Sequence, residues 1–226
     1  MRAFLLCLTL GGLGCSPSAS ATFPFGTSVS ISGAAIEVPE ALQTDDGAPA
    51  VASVPCGPSG MCPSTADLPV LCMDDLCDPE PVTIERPVGD VVDIEAAAGD
   101  ASVLFREIDT VRIEAVEYEI EMNTLGVGTT PLEVFWGPAG AAAVSEAMGV
   151  RLLGTVPAIE AGATGSGSMS LDAAGVAAFT EHFETEGRRY RFFARTTIDI
   201  DPGSPIPSGD VELAVRVIIE ASGSLL

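Results

Sequence analysis

The stretch "TVRIEAVEYEIEMNTL", Thr110–Leu125, decides the fold, because its apolar and charged residues alternate. Alternation with a period of two is typical of an antiparallel β-strand with one buried face and one wet face. The apolar residues form two runs that are out of step by one position: Val111, Ile113, Ala115 and then Val116, Tyr118, Ile120, Met122. One extra residue in a strand produces such a step, so we predict a β-bulge at Ala115–Val116.

The chain after this stretch continues the β pattern and contains one helical segment. "RRYRFFARTTIDID" and "DVELAVRVIIEAS" alternate strictly, and "GVRLLGTVPAI" and "GSGSMSL" predict shorter strands. "LDAAGVAAFTEHFETEG" changes period, because Val176, Phe179 and Phe183 recur at helical spacing. Asp172 is suited to begin this helix and Gly187 to end it. A second, short helix is expected in the Ala-rich residues 139–147.

Short strands separated by Gly/Pro turns, with one amphipathic helix, predict an all-β protein, an antiparallel β-sandwich. The strand that carries Glu117, Glu119 and Glu121 faces water on its charged side, as does the strand that carries Arg189, Arg191 and Arg195. Opposite charges across neighbouring strands attract, so we expect these two strands to be neighbours. An anion site at the arginines is the alternative. The sandwich is assigned to residues 27–226.

Residues 39–81 form an insert in which apolar periodicity disappears and Pro, Gly, Asp and Cys dominate. It holds Cys56, Cys62, Cys72 and Cys77 at spacings that match neither a zinc knuckle nor a redox C-x-x-C motif. Four cysteines allow three pairings, and bridges between nearest neighbours, Cys56–Cys62 and Cys72–Cys77, are favoured. The insert is therefore predicted to be an irregular segment stapled by disulfides.

Four carboxylates surround the last two of these cysteines: Asp74, Asp75, Asp78 and Glu80. Ca²⁺ takes six to eight oxygen ligands, so these acids are weak calcium candidates on a constrained loop. They do not match the EF-hand pattern. Solvated acids on a loop are the favoured interpretation, and no metal or other cofactor is predicted.

The first residues, "MRAFLLCLTLGGLGCSPSASA", combine Arg2 with an uncharged apolar run over Ala3–Gly14. A membrane-spanning helix needs about 20 apolar residues, so this run predicts a secretory signal. "GLGC", Gly12–Cys15, resembles the lipobox of bacterial lipoproteins, with Gly12 at the position usually held by Leu. The resemblance implies a signal peptide over residues 1–14 and fatty acylation, including palmitate, at Cys15.

Residues 15–26 are predicted to be a tether between this anchor and the sandwich. In enterobacterial lipoproteins an Asp after the acylated Cys retains the protein in the inner membrane. Ser16 stands at that position, so the resemblance implies the outer membrane. "ASA", Ala19–Ala21, is a competing site for ordinary signal peptidase, and cleavage there would release a soluble periplasmic or secreted protein.

Composition excludes several classes of function. The net charge of −22 argues against nucleic-acid binding and against polybasic docking to membranes. The chain has no Lys, so it has neither a P-loop lysine nor a Schiff-base nucleophile, and His182 is its only histidine. We therefore predict a non-catalytic envelope module that binds an envelope protein or glycan. The alternatives are an extracytoplasmic hydrolase with two catalytic carboxylates and a calcium-dependent adhesion module.

Overall fold

A computed structural model describes residues 18–44, 49–58, 60–94, 96, 105–185 and 187–225. In chain order the strands are β1 (Ser18–Ser32), β2 (Val70–Met73), β3 (Leu76–Pro79), β4 (Val82–Asp93), β5 (Phe105–Asn123), β6 (Leu132–Pro138), β7 (Arg151–Val156), β8 (Gly165–Ser168), β9 (Ser170–Leu171), β10 (Arg189–Ile198) and β11 (Asp210–Leu225). One α-helix of the described residues, α1, spans Ala173–Thr185.

The strands form two large antiparallel sheets and one small one. The first sheet has the order β1-β11-β5-β8, the second β4-β10-β6-β7-β9, and β2 pairs only with β3. Every pairing between the named strands is antiparallel. The inner faces of the two large sheets share one apolar core. The predicted all-β antiparallel sandwich is confirmed.

The alternating positions of the late strands face this core as predicted. In β10 and just after it the buried residues are Tyr190, Phe192, Ala194, Thr196, Ile198 and Ile200. In β11 they are Val211, Leu213, Val215, Val217 and Ile219. A second small cluster lies on the outer face of the second sheet, where Phe135 and Phe193 pack under residues 139–150. That segment contains turns and one 3-10 turn, Glu146–Met148, so the short helix predicted there is wrong.

The bulge in β5 is present, but not where it was expected. Ile218 and Ile219 of β11 pair with Ala115 and Ile113, so Glu114 is the extra residue. A further register shift lies near Glu121, between Ile120 and Met122. The shift in the apolar pattern therefore predicts the existence of the bulge correctly. The pairing of β5 with β11 places the bulge one to two residues earlier than Ala115–Val116.

Helix α1 begins and packs much as its sequence indicates. The Asp172 carboxylate accepts a hydrogen bond from the Gly175 backbone N–H at 2.7 Å, which caps the first turn. Phe179 and Phe183 are buried, and the Trp136 indole N–H donates to the Gly175 carbonyl at 2.9 Å. Gly175 itself lies so close to the Leu152 carbonyl that a Cβ would collide with it. The helix therefore covers one side of the core through close backbone contact.

The charged strands predicted to be neighbours belong to different sheets, so that prediction is wrong. β10 lies between β4 and β6, whereas β5 lies between β11 and β8. Each strand finds its counter-charges on its own neighbours. Arg195 pairs with Glu133 of β6 at 2.9 Å, and Glu117 pairs with Arg216 of β11 at 3.2 Å. Cross-strand pairing is thus the role of Arg195 and Glu117, with other partners than expected.

The predicted tether over residues 15–26 is wrong from Ser18 onward. β1 begins at Ser18, and its pairs with β11 run from Ser18–Ser224 to Ser32–Asp210. Along Ser18–Gly26 the apolar residues Ala19, Ala21, Phe23 and Phe25 occupy alternate positions, so the period-two pattern of a strand was already present in the sequence, and β11 pairs with it. Cys15 and the signal segment lie outside the described residues.

Candidate binding site

The cysteine-rich insert is a short hairpin braced against the sandwich. β2 and β3 are joined by Asp74 and Asp75, whose backbones both have positive φ, at 51° and 67°. A two-residue turn with both φ values positive is the type I′ geometry that matches the twist of a hairpin, and Asp tolerates it. Two of the four calcium candidates are therefore the turn residues. The insert is less irregular than predicted.

Both predicted bridges are wrong in their pairing, although all four cysteines are bonded. Cys56 bonds to Cys72, and Cys62 bonds to Cys77. Each bridge joins the loop before the hairpin to a different strand of it. Cys72 and Cys77 are paired directly opposite each other in β2 and β3. The two disulfides therefore connect the loop to both strands at the same position along the hairpin. Pairing between nearest neighbours would have left the loop and the hairpin unconnected.

The hairpin has one inward and one outward face. Val70, Cys77 and Pro79 are buried on the inward face, where Cys72 also lies. Buried apolar residues of the insert, namely Leu42, Val51, Leu68, Val70 and Cys77, belong to the main core of the sandwich. The insert is therefore part of the domain, not an appendage with its own small core.

The opposite side, here called the hairpin outer face, consists of Leu71, Met73, Leu76 and Asp78. Its three apolar side chains are exposed to 48 %, 53 % and 44 %. Six large apolar side chains are exposed in the described residues. Three of them lie on this face, and a fourth, Met61, lies on the neighbouring loop. Exposed apolar residues scattered singly need no explanation, but a grouped set indicates an interaction surface.

The insert lies at one end of the sandwich. The Val51 N–H donates to the Ser204 carbonyl at 2.8 Å, and the Ile206 N–H donates to the Pro49 carbonyl at 3.2 Å. The loop that contains Ser204 and Ile206 connects the end of β10 to the start of β11. The same end holds the last residue of β1, because Ser32 pairs with Asp210.

The carboxylates Asp74, Asp75, Asp78 and Glu80 are all exposed. In the part of the chain that the structure describes, the only group of three or more possible ligands close enough to share a metal ion is Cys56, Cys62 and Cys77. The acids therefore do not converge on a common point, and the structure gives the calcium candidates no support. What the acids do supply is negative charge around the hairpin outer face.

A shallow depression of about 450 Å³ lies on the outer surface of the second sheet. It is lined by Thr83, Thr130, Pro131, Glu133, Thr155, Arg195, Thr196 and Thr197. Glu133 is the one acidic residue of this lining, and Arg195 holds it through Nε and Nη2, each 2.9 Å from the same oxygen. A glycosidase-type mechanism needs two carboxylates across a cleft, and this depression offers only one.

His182 lies half-buried in an aromatic cluster. Its ring centre is 5.6 Å from Trp136 and 5.4 Å from Tyr190. Tyr190 is fully buried and stacks on Phe179 at 4.3 Å. Burial raises the pKa of Tyr190 well above its ordinary value, with the nearby Arg188 opposing this weakly. The cluster packs α1 onto the second sheet.

Comparisons with known proteins do not assign the chain to a family. No family model matches the chain, and no curated protein matches it. Similar solved structures include a chain titled Desmodium yellow mottle tymovirus, at 11 % identity and a TM-score of 0.34, with 100 % of this chain and 94 % of that one covered. A chain titled turnip yellow mosaic virus gives 11 % identity, a TM-score of 0.31, and coverages of 100 % and 92 %. A likeness this distant supports no conclusion about this protein.

Among the described residues, no helix is both long and apolar enough to cross a membrane. The feature that sequence reasoning missed is the hairpin outer face. Its signal was present: "VLCMDDLCDP" alternates around an Asp-Asp turn, with Leu71 and Met73 on one side and Val70 and Cys72 on the other.

Proposed function

We propose that this chain is an exported, lipid-anchored cell-envelope protein that acts as a non-catalytic binding module through the hairpin outer face. The observation that carries the proposal is the exposure of Leu71, Met73 and Leu76 on a hairpin that two disulfides fasten to the sandwich. A surface held in one conformation loses little entropy on binding, which favours recognition.

Anchoring at Cys15 is supported by the position of β1. The competing site, Ala19–Ala21, lies inside this strand, where Ala21 pairs with Ala221. Cleavage after Ala21 would remove the first four residues of β1, Ser18–Ala21, and their pairs on β11. Cleavage before Cys15 leaves the strand whole. Ser16 at the sorting position makes the outer membrane the proposed location.

The same geometry presents the binding surface away from the membrane. Ser16 and Pro17 alone separate Cys15 from β1, so the start of the strand is held close to the lipid. A strand rises about 3.3 Å per residue, so the 15 residues of β1 extend roughly 45 Å. The hairpin packs at the end where β1 finishes. The sandwich therefore acts as a spacer between the anchor and the hairpin.

The partner that fits this surface is a protein with an apolar patch bordered by Arg or Lys. Asp78 lies on the outer face itself, and Asp74 and Asp75 lie at its tip. Charge of opposite sign on the partner would steer association and fix its orientation. A glycan is the weaker candidate, because Leu and Met side chains offer sugars neither hydrogen bonds nor an aromatic platform.

The test is photo-crosslinking in intact cells, with a benzophenone amino acid replacing Met73. We expect one discrete adduct with another envelope protein. Leu71→Asp should abolish the adduct, and the paired change Asp74→Asn with Asp78→Asn should weaken it. The same probe at Glu212, which is exposed on β11, is the matched control and should give no such adduct. An adduct that is indifferent to both changes, an adduct with a second copy of this chain, or no adduct contradicts the proposal.

A further inference from the structure

The two disulfides of the insert are in contact with each other. The Cys62 Sγ lies 3.9 Å from the Cys56 Sγ, although these two sulfurs belong to different bridges. The sulfurs of Cys56, Cys62 and Cys77 all lie within 4.8 Å of one another. The fourth sulfur, that of Cys72, is bonded to Cys56. Three of the four sulfurs are thus grouped, and the Cys72 sulfur lies one disulfide bond beyond Cys56, outside the 4.8 Å group.

The three grouped sulfurs lie near the spacing that a tetrahedral zinc site requires, and the Cys72 sulfur would have to turn towards them once its bridge is reduced. Zinc–sulfur bonds of about 2.3 Å place neighbouring thiolates roughly 3.8 Å apart. The contact between Cys56 and Cys62 already has nearly this length. The bonded sulfurs would need to separate by less than about 2 Å to reach it. Backbone contacts that do not depend on the bridges keep the loop and the hairpin together, including the Cys77 N–H donating to the Val54 carbonyl at 2.8 Å.

We propose that the insert, when both bridges are reduced, is a tetrathiolate site for Zn²⁺, formed by Cys56, Cys62, Cys72 and Cys77. Reduction breaks each sulfur–sulfur bond with two electrons from a thiol or phosphine reductant and adds two protons. Binding of one Zn²⁺ then replaces the protons of four thiols, and four protons are released. The inference does not depend on the proposed function, because it concerns the sulfurs alone.

The entry point for the reductant is also set by the fold. Cys72 is exposed, Cys56 and Cys62 are half-buried, and Cys77 is buried. A reductant therefore reaches the Cys56–Cys72 bridge first. The linear spacing of the cysteines does not indicate such a site, because tight C-x2-C pairs are absent. The hairpin supplies the missing proximity by placing Cys72 opposite Cys77.

The test uses the full mature chain, reduced with a phosphine that does not compete for metal, and titrated with Co²⁺ as a spectroscopic substitute for Zn²⁺. We expect one equivalent of Co²⁺ to give the visible and near-ultraviolet absorption of tetrahedral cobalt thiolate, and Zn²⁺ to displace it. The control is Cys56→Ser with Cys72→Ser, which keeps two thiols after reduction. It should lose the tetrahedral spectrum and bind about 100-fold more weakly or worse.

A second measurement distinguishes a structured zinc site from non-specific binding of metal by individual thiols. Zn²⁺ should restore the resistance of residues 39–81 to protease that reduction removes, and only in the chain with all four cysteines. Absence of the tetrahedral spectrum with four titratable thiols present overturns the inference. So does an equal spectrum in the control variant, or a failure of Zn²⁺ to restore protection.

Discussion

Cys72 and Cys77 lie directly opposite each other across the β2–β3 hairpin, and neither is bonded to the other. Both instead bond to cysteines of the loop before the hairpin, which lie 16 and 15 residues earlier in the chain. The bridges therefore determine how the loop and the hairpin are joined. They also hold the inward face of the hairpin against the core and leave the other face to solvent.

The first prediction concerns the strength of this fastening. Cys56→Ser with Cys72→Ser should lower the free energy of unfolding by about 3 kcal/mol, the entropic value for closing a loop of this length. Because Leu42, Val51, Leu68 and Val70 belong to the shared core, the loss should appear in the unfolding of the whole domain. Urea denaturation followed by circular dichroism measures it. A change below about 0.5 kcal/mol contradicts this prediction.

The second prediction tests the assignment of faces on β10. Ile198→Asp should unfold the domain, because Ile198 is fully buried and an unpaired buried charge costs several kcal/mol. Thr197→Asp, one residue away and directed to the outer surface, should be mild. The thermal unfolding midpoint of both variants gives the comparison. Equal effects would show that the faces are misassigned. Ile120→Asp should fall between them, because Ile120 is only half-buried.

The third prediction concerns the contact between α1 and β7. Gly175→Ala should destabilise the domain by about 1–3 kcal/mol, because the new Cβ meets the Leu152 carbonyl. Helix propensity alone would predict the opposite sign. Ala174→Ser, exposed on the same turn, is the control and should cost a few tenths of a kcal/mol. Denaturant midpoints decide between them, and a stabilised Gly175→Ala variant would refute the close packing.

The fourth prediction concerns pH and the hydroxyl of Tyr190. This hydroxyl is buried and has no hydrogen-bond partner among the described residues. Burial raises the folded-state pKa of Tyr190 above the unfolded value of about 10. The stability that comes from this raised pKa is therefore fully present below about pH 10. The free energy of unfolding then falls as the pH rises from there towards the folded-state pKa.

Tyr190→Phe should therefore be as stable as the natural chain at neutral pH, or more stable by up to about 2 kcal/mol. Its advantage should grow above about pH 10, where the unfolded tyrosine ionises. Urea midpoints at neutral and alkaline pH provide the measurement. A loss of stability at neutral pH would mean that the hydroxyl makes a favourable contact, and an advantage that shrinks with rising pH would contradict the sign of the shift.

The fold class could be predicted because the core-facing residues alternate without interruption in the late strands. Tyr190 to Ile200 and Val211 to Ile219 specify buried faces that the structure confirms. Neighbour relations between strands could not be predicted, because a Glu-rich face and an Arg-rich face are each satisfied by any strand of opposite charge. Glu133 and Arg216 supply those charges from within each sheet.

The pairing of the cysteines depends on a contact between distant segments that no local sequence pattern encodes. The pairing of Cys56 with Cys72 requires the loop to lie across the hairpin. Contacts of residues 49–51 with the β10–β11 loop and of Val54 with Cys77 hold it there. Sequence separation favoured the nearer cysteines instead. The outer face could have been found, because the Asp74–Asp75 turn fixes the register and hence which side Leu71 and Met73 share.

The measurement that tests the central claim most directly is metabolic labelling with radioactive palmitate, followed by mass spectrometry of the mature amino terminus. The account predicts a labelled protein in the outer-membrane fraction that begins at an acylated Cys15, and Cys15→Ala should lose the label and the processing. An unlabelled mature chain that begins at Thr22 and is found in the soluble fraction would contradict it.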